Sequence, residues 1–431
     1  MLRTHLLAAT AITGLAVAGP AQAQEIPIGH LADLTGATAS IGVAYSGGIA
    51  DAMNWVNETG RLGDGTLSFE TVDYAYQAPR AISNYRRWTS EGVSAIQGWG
   101  TADTEALIDF VARDQIPYYS ASYSGALTDP TGEAPNATKA APYNFFYGPS
   151  YSDACRALAQ WSYNDWQENG EDRAPRWVHM GDNHPYPNAP LQACTEYAEE
   201  LGFEVLSPIV YSLAPSDFTP QCLTLNEVDA DYAYLANIAG SNIAMLNSCA
   251  NAGVDAQFLS NVWGYDEAVM SAAGANADGV VVAVRTDSIW TDDNPGMDTV
   301  REIAALSDDG ADAYRQLSYI SGVCSAMYMV EAIEWAMANG GPDGANIRAG
   351  MYALSEANDG AWVPAGFEGV CRPSTWSDTD HRGMMSVPIY RGSVGGATEG
   401  GDITALFADG TLALEQIDLI ELERRPEWLG Y

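Results

Sequence analysis

The sequence predicts an α/β protein with two doubly wound parallel-sheet units. Three observations carry this. Strand-like apolar runs alternate with helical patterns, which favours a parallel sheet with helical crossovers. The rhythm pauses at 129–150, "DPTGEAPNATKAAPYNFFYGPS", and then restarts. The chain has 431 residues, too many for one ordinary domain and comfortable for two.

In the first unit, "IPIGHLADL" (26–34) reads as a strand. Tyr45, Ile49, Met53 and Val56 then recur at helical spacing, and Gly60 closes that helix. "LSFETVDYAY" alternates as a strand, and "APRAISNYRRWTSEG" is helical, ending at Gly92. "VSAIQGW" is a strand, followed by a helix with Leu107, Ile108 and Val111 on one face, and "IPYYSASY" is the next strand. After the pause come the helix "YSDACRALAQWSYNDW", the strand "RWVHMGD", the helix "LQACTEYAEELG" and the strand "FEVLSPIVY". The segments "TPQCLTLNEV", "ADYAYLANIAG", "SNIAMLNSCANAG", "AQFLSNVW", "DEAVMSAAG" and "DGVVVAVRT" continue the alternation. A long helix follows with Val323, Met327, Val330 and Met337 on one stripe. The tail, from about 360 to 431, is Gly- and Pro-rich with short strands such as "MMSVPIYRG".

Residues 1–23 read as a secretory signal: Arg3, a short apolar run over Leu6–Val17, and "AQA" at the cleavage position. The run is shorter than the roughly 20 apolar residues of a membrane span. The expected location is therefore the periplasm, for a chain that is not membrane-embedded. There are 19 basic against 56 acidic residues, for a net charge of −37. Such a surface repels nucleic acid and anionic lipid. Lys139 is the single lysine, a composition that fits a saline habitat.

The six cysteines, Cys155, Cys194, Cys222, Cys249, Cys324 and Cys371, are an even number in an exported chain. That implies three disulfides; two bridges with two free thiols is the alternative. Topology narrows the pairing. In a sheet of order 2-1-3-4-5, the helices before and after the first strand share a face, and these carry Cys155 and Cys194. The two helices on the opposite face carry Cys222 and Cys249. Cys324 and Cys371 remain. None of the six has metal-ligand spacing, so neither a metal nor another cofactor is expected.

Open α/β sheets bind ligands beyond the carboxyl ends of their strands. In "GWGTADT", Trp99 precedes a helix that Thr101 or Asp103 could cap, whose first-turn N–H groups could receive a carboxylate. "SASYS" offers Ser122, Tyr123 and Ser124, and "DLTGATASIG" offers Thr35, Ser40 and Ile41. Thr101 and Ser124 could equally serve only as caps of a helix and a turn. In the second unit the strand ends offer Tyr186, Asn237, Trp263 and Tyr265. His30 and His179 lie in strands and are expected to be satisfied core residues, whereas His184 lies in a candidate ligand loop. With no G-x-S-x-G, no P-loop and no paired catalytic groups, no enzyme is expected.

At these residues the sequence resembles the type I periplasmic solute-binding proteins of ABC importers, in the leucine/isoleucine/valine-binding branch. The resemblance covers essentially all of the chain after residue 23. It rests on "IGHLADLTGATASIGVAYSGGIADAM", on "IQGWGTADTEAL" with "IPYYSASYSGALTDP", and on "STWSDTDHRGMMSVPIY". It implies two lobes joined by three crossovers, with a small-molecule solute trapped between them and passed to a permease. One lobe is expected over 24–147 and 285–370. The other is expected over 148–284 and 371–431, its tail crossing back over the hinge. The resemblance maps the carboxylate-binding hydroxyls to Thr101, Ser124 and nearby Ser122, and the second-lobe tyrosine to Tyr186. The acidic anchor for an α-ammonium falls near Val262 and Trp263, where no carboxylate stands; Asp266 and Glu267 are the nearest. Ile238 occupies the place of a further tyrosine. Asp380-His381-Arg382 is expected as a structural turn. The expected solute has an apolar or aromatic body and a carboxylate, or is a hydrophobic amino acid. The protein is expected to be a monomer, and the same fold could instead present its ligand to a membrane signalling receptor.

Overall fold

A computed structural model describes residues 24–307 and 310–431. The expected export signal at 1–23 lies outside the described residues.

The first sheet has five parallel strands, β1 (Gln24–Ala32), β2 (Gly65–Asp73), β3 (Ala95–Gln97), β4 (Tyr118–Ser120) and β5 (Asn144–Phe146), in the order β2-β1-β3-β4-β5. Helices α1 (Ala39–Thr59), α2 (Ala78–Glu91) and α3 (Thr101–Asp114) connect them. Gly60 and Gly92 close α1 and α2 in the left-handed conformation, with φ of 63° and 83°, where a Cβ is disfavoured.

The chain then crosses to a second sheet through α4 (Tyr151–Asn169). Its strands are β6 (Arg176–Gly181), β7 (Glu204–Val205), β8 (Ile209–Val210), β9 (Tyr232–Leu235), β10 (Gln257–Ser260) and β11 (Val281–Ala283). The connecting helices are α5 (Pro185–Asn188), α6 (Leu191–Leu201), α7 (Thr219–Val228), α8 (Ala239–Ala252) and α9 (Glu267–Ala273). The parallel part again runs second, first, third, fourth, fifth: β7-β6-β9-β10-β11. Pro208 lies between the two short pieces β7 and β8, where one continuous strand was expected; proline removes a ladder donor.

After β11 the chain returns to the first sheet's side as α10 (Pro295–Ala304), α11 (Leu317–Ala338) and α12 (Gly344–Ala357). Helix α11 packs between α1 and α12. It is buried on nearly every face rather than along one stripe. A Cβ on Gly48 would meet the Tyr319 carbonyl oxygen at 2.1 Å, and one on Gly322 would meet that of Tyr45 at 2.1 Å. The two helices can approach this closely only because both positions are glycine.

A third passage leads to β12 (Ser386–Val394), then α13 (Ile403–Ala408) and β13 (Leu412–Glu421). The tail's expected short strands are in fact two long antiparallel ones that extend the second sheet beyond β11. The last residues reach back: Gly430 N–H donates to Thr128 Oγ1 at 2.8 Å, and the buried Arg156 guanidinium stacks on Trp428 at 4.3 Å.

The disulfides are Cys155–Cys194, Cys222–Cys249 and Cys324–Cys371. These are the pairs that the sheet order dictates. Among the described residues no helix is long and apolar enough to cross a membrane.

Candidate functional site

The carboxyl ends of the parallel strands in both sheets converge on one cavity. It is lined by Thr38, Ile41, Tyr76, Trp99, Gly100, Thr101, Ala121, Tyr151, Tyr186, Ile238 and Trp263. Each lies within a few residues after a strand: Thr38 after β1, Tyr76 after β2, Trp99 and Thr101 after β3, Ala121 after β4, Tyr151 after β5. Tyr186, Ile238 and Trp263 follow β6, β9 and β10 from the other side. The cavity holds about 20 Å³ of free volume, room for about one water molecule. Two aromatic walls have therefore closed on each other.

Trp263, from the second sheet, is inserted among first-sheet rings. Its centroid lies 5.6 Å from that of Trp99, 5.2 Å from Tyr123 and 5.5 Å from Tyr45. Its indole N–H donates to the Tyr151 hydroxyl at 3.1 Å. Trp99 is held by a relay: its Nε1 donates to Thr38 Oγ1 at 2.7 Å, and Thr38 Oγ1 donates to Asp33 Oδ2 at 2.6 Å. Tyr186 donates to Asn261 Oδ1 at 2.9 Å and meets Tyr151 edge to face. Tyr76 stacks obliquely on His184 at 5.6 Å, a further contact between the two sides.

Thr101 Oγ1 and Ser122 Oγ lie 2.9 Å apart, so the two strand ends do face one space. Thr104 Oγ1 reaches Ser120 Oγ at 2.8 Å and continues the row of hydroxyls. Beneath them Asp103 is fully buried. It accepts the N–H groups of Trp99 at 3.0 Å and Gly100 at 2.8 Å, together with the hydroxyls of Tyr74 and Tyr118. Burial raises its carboxyl above the usual range, opposed by these hydrogen bonds.

Of the expected residues, Trp99, Thr101, Tyr186 and Trp263 line the cavity, Ser122 stands behind Thr101, and Tyr123 packs on Trp263. Ser124 does not line it; its carbonyl accepts from Leu127 N–H at 3.0 Å in a turn. Tyr265 points away and donates to the Ala277 carbonyl at 2.7 Å. Asn237 secures the loop after β8 by donating to the carbonyls of Tyr211 and Ser212, both at 3.1 Å. Thr35 donates to Asp73 at 2.6 Å, outside the cavity.

His184, expected in a ligand loop, is not among the residues that line the cavity; its Nδ1 accepts Tyr186 N–H at 3.2 Å and so caps α5. The core histidines are only partly satisfied. His30 Nδ1 pairs with Thr71 Oγ1 at 2.9 Å and leaves Nε2 unpaired, while His179 makes no hydrogen bond of ordinary geometry and has only a weak backbone contact with Pro187. Burial lowers them to about 3 and about 4. His381 bridges the Asn144 carbonyl and the Tyr352 hydroxyl, so its turn is structural.

Asp266 and Glu267 stay out of the cavity. Asp266 caps α9 through the N–H groups of Ala268 and Val269, and burial pushes Glu267 up to about 7. Among the described residues no carboxylate lines the cavity, so none of them stands there as an anchor for an ammonium. Among the described residues no cluster of side chains could hold a metal ion.

Five lining residues escaped the sequence reading: Thr38, Tyr76, Gly100, Ala121 and Tyr151. Tyr76 follows β2 in a turn where Ala75 and Tyr76 both take positive φ, 51° and 55°. Gly100 and Ala121 lie within the two stretches already singled out, and Thr38 lies in the loop after β1. The strand-end rule applied to β2 and β5 would have flagged Tyr76 and Tyr151.

Two α/β units whose strand ends face each other across an aromatic cleft define a bilobal solute-binding protein. The periplasmic binding protein family model matches residues 25–398, and the chain belongs to that family. An ABC transporter substrate-binding protein from Aeropyrum pernix shares 25% identity at a TM-score of 0.75, covering 94% of this chain and 98% of its own. A branched-chain amino acid ABC transporter protein from Thermus thermophilus with bound valine shares 18% identity at a TM-score of 0.75, over 85% of this chain and 93% of its own. A solute-binding protein of an ABC transporter from R. palustris in complex with benzoate shares 15% identity at a TM-score of 0.71, over 94% of this chain and 99% of its own. No curated protein matches. The family and these neighbours are substrate-binding proteins of ABC transporters rather than enzymes.

Proposed function

We propose that this protein is exported, captures a small organic solute between its two lobes and delivers it to an ABC permease. The solute has an apolar or aromatic body and a carboxylate, or is a hydrophobic amino acid whose amine is held without a carboxylate partner. The lobes are 24–147 with 285–370, and 148–284, with 371–431 crossing back over the hinge.

The observation that carries this reading is the insertion of Trp263 among Tyr45, Trp99 and Tyr123 beside a cavity on which both sheets' strand ends converge. In the open cleft the solute's polar head meets Thr101, with Ser122 behind it. The second lobe then closes Tyr186 and Trp263 over its body. Closure requires that the solute touch both lobes, since only differential contact shifts the population. Aromatic stacking in such a dry space contributes about 0.5–1.5 kcal/mol beyond the area buried. The missing acidic anchor favours aromatic acids over amino acids, because a buried ammonium without a partner is costly. Benzoate in the R. palustris neighbour and valine in the Thermus neighbour lie on either side of that choice.

A thermal-shift screen of aromatic acids, amino acids, amides and polyols tests the reading. A solute present at roughly 100 times its Kd stabilises by about 2.7 kcal/mol, so a true ligand raises the melting temperature by several degrees. Aromatic or apolar acids are expected to do so; a response to polyols alone would contradict the assignment.

A further inference from the structure

We propose that Arg285 is the group that reads the solute's negative charge; this deepens the function proposed above and rests on it. Arg285 stands two residues beyond β11, where the chain leaves the second sheet, and its side chain is buried. Arginine stays charged in a protein, and a buried guanidinium ordinarily has a carboxylate partner. Among the described residues none approaches within ion-pairing distance. One guanidinium nitrogen donates to the Val262 carbonyl, the charge rests on the face of Trp263 at 3.9 Å from the ring centroid, and Nε has no partner.

Two buried phenols surround the same indole. Tyr45 and Tyr123 both pack on Trp263, and neither hydroxyl makes a hydrogen bond of ordinary geometry, although that of Tyr45 lies close to Ser325 and to Tyr123. Both feel the guanidinium charge, while burial holds Tyr45 up to about 12, so these phenols are O–H donors. The guanidinium, with its unpaired Nε, and the two weakly bonded phenols together gather donors around one indole, the complement of a carboxylate. The acid nearest in electrostatic terms is Asp266, which also feels Arg285, but it uses Oδ1 to cap α9 and forms no ion pair with the guanidinium.

The first-lobe hydroxyls cannot supply this selectivity alone. Thr101 and Ser122 already pair with each other above the buried carboxyl of Asp103, a setting that suits a neutral head as well as an acid. Trp263 both lines the cavity and carries the guanidinium on its face. Withdrawal of that ring as the lobes part joins the cavity to the waiting donors. The preferred solute is thus a monovalent organic acid with a flat or apolar body, and its neutral amide is rejected.

Calorimetry on the intact protein tests this with benzoate against benzamide and hexanoate against hexanamide, in the wild type, Arg285→Gln and Arg285→Lys. The wild type is expected to bind at least one acid tenfold or more tightly than its amide. Arg285→Gln is expected to erase that ratio while leaving amide binding within threefold, and Arg285→Lys to retain part of it. An unchanged ratio in Arg285→Gln, or equal loss of acid and amide, overturns the proposal. The wild-type ratio decides even if Arg285→Gln does not fold: no preference for acids refutes the role of Arg285 and leaves solute capture standing. A wild type that binds none of the four probes, and nothing in the wider solute screen, overturns the binding function and this inference together.

Discussion

The indole of Trp263 lies 5.6 Å from that of Trp99, with the two planes at 60°, although the first follows a strand of the second sheet and the other a strand of the first. This pair ties the two halves of the molecule together across the cavity, and each ring has its N–H satisfied locally, by Tyr151 and by Thr38.

Trp263→Ala is expected to weaken solute binding about 10²-fold, in the range of roughly 2–4 kcal/mol that buried aromatic anchors carry. Thr35→Ala removes a hydrogen bond to Asp73 outside the cavity and is expected to change affinity less than threefold. Calorimetry on both variants checks this; equal and negligible effects would place the site elsewhere.

Reducing the three disulfides is expected to lower the melting temperature without changing solute preference, since none of the six cysteines lines the cavity. Each bridge contributes about 2–4 kcal/mol, chiefly by restricting the unfolded chain. A changed order of preference after reduction would couple a bridge to the site.

The buried His179 gives a pH signature. Burial lowers its ring to about 4, below the ordinary 6.5. As pH falls from 6.5 the unfolded chain therefore takes up this proton first. Its neutral form supports the fold fully above about pH 6.5, and that support is lost progressively down to about pH 4. Replacing it with Phe is expected to reduce the slope of unfolding free energy against pH over that window by up to about 1.4 kcal/mol per unit, one proton's worth. Glu267, pushed up to about 7, acts in the opposite sense, but it is common to both proteins and cancels in the difference. Urea titrations at several pH values measure the slope; an unchanged slope contradicts the assignment.

Ala75 takes φ of 51° immediately before Tyr76. A left-handed alanine is strained where glycine is not. Ala75→Gly is expected to raise stability by up to about 1 kcal/mol, read from denaturant midpoints. Any destabilisation of similar size would show that the turn is not under strain.

Much of this architecture was legible because local chemistry and topology agree. The spacing of Tyr45, Ile49, Met53 and Val56 with Gly60 behind it specifies α1 closely. The 2-1-3-4-5 order fixes which helices share a face and so which cysteines meet. The misreadings have physical causes. Pro388 and Gly392 made β12 look short, yet it is an inner strand paired on both sides. Tyr76 was read as the end of a strand because a non-glycine at positive φ gives no sequence signal. Arg285 stands in the run "VVVAVRT" just past a strand's carboxyl end, where the same rule that selected Trp99 and Trp263 applies. Its lack of a carboxylate partner is visible only when the surrounding side chains are in place. Tyr265 sits beside Trp263 in sequence but turns toward Ala277, a choice made by packing against Gly392.

A crystal structure with the best-binding acid from the screen tests the central claim most directly. The account predicts the solute between Trp99 and Thr101 on one side and Tyr186 and Trp263 on the other, with the cavity enlarged to hold it. Solute bound anywhere that engages only one of the two sheets' strand ends would contradict it.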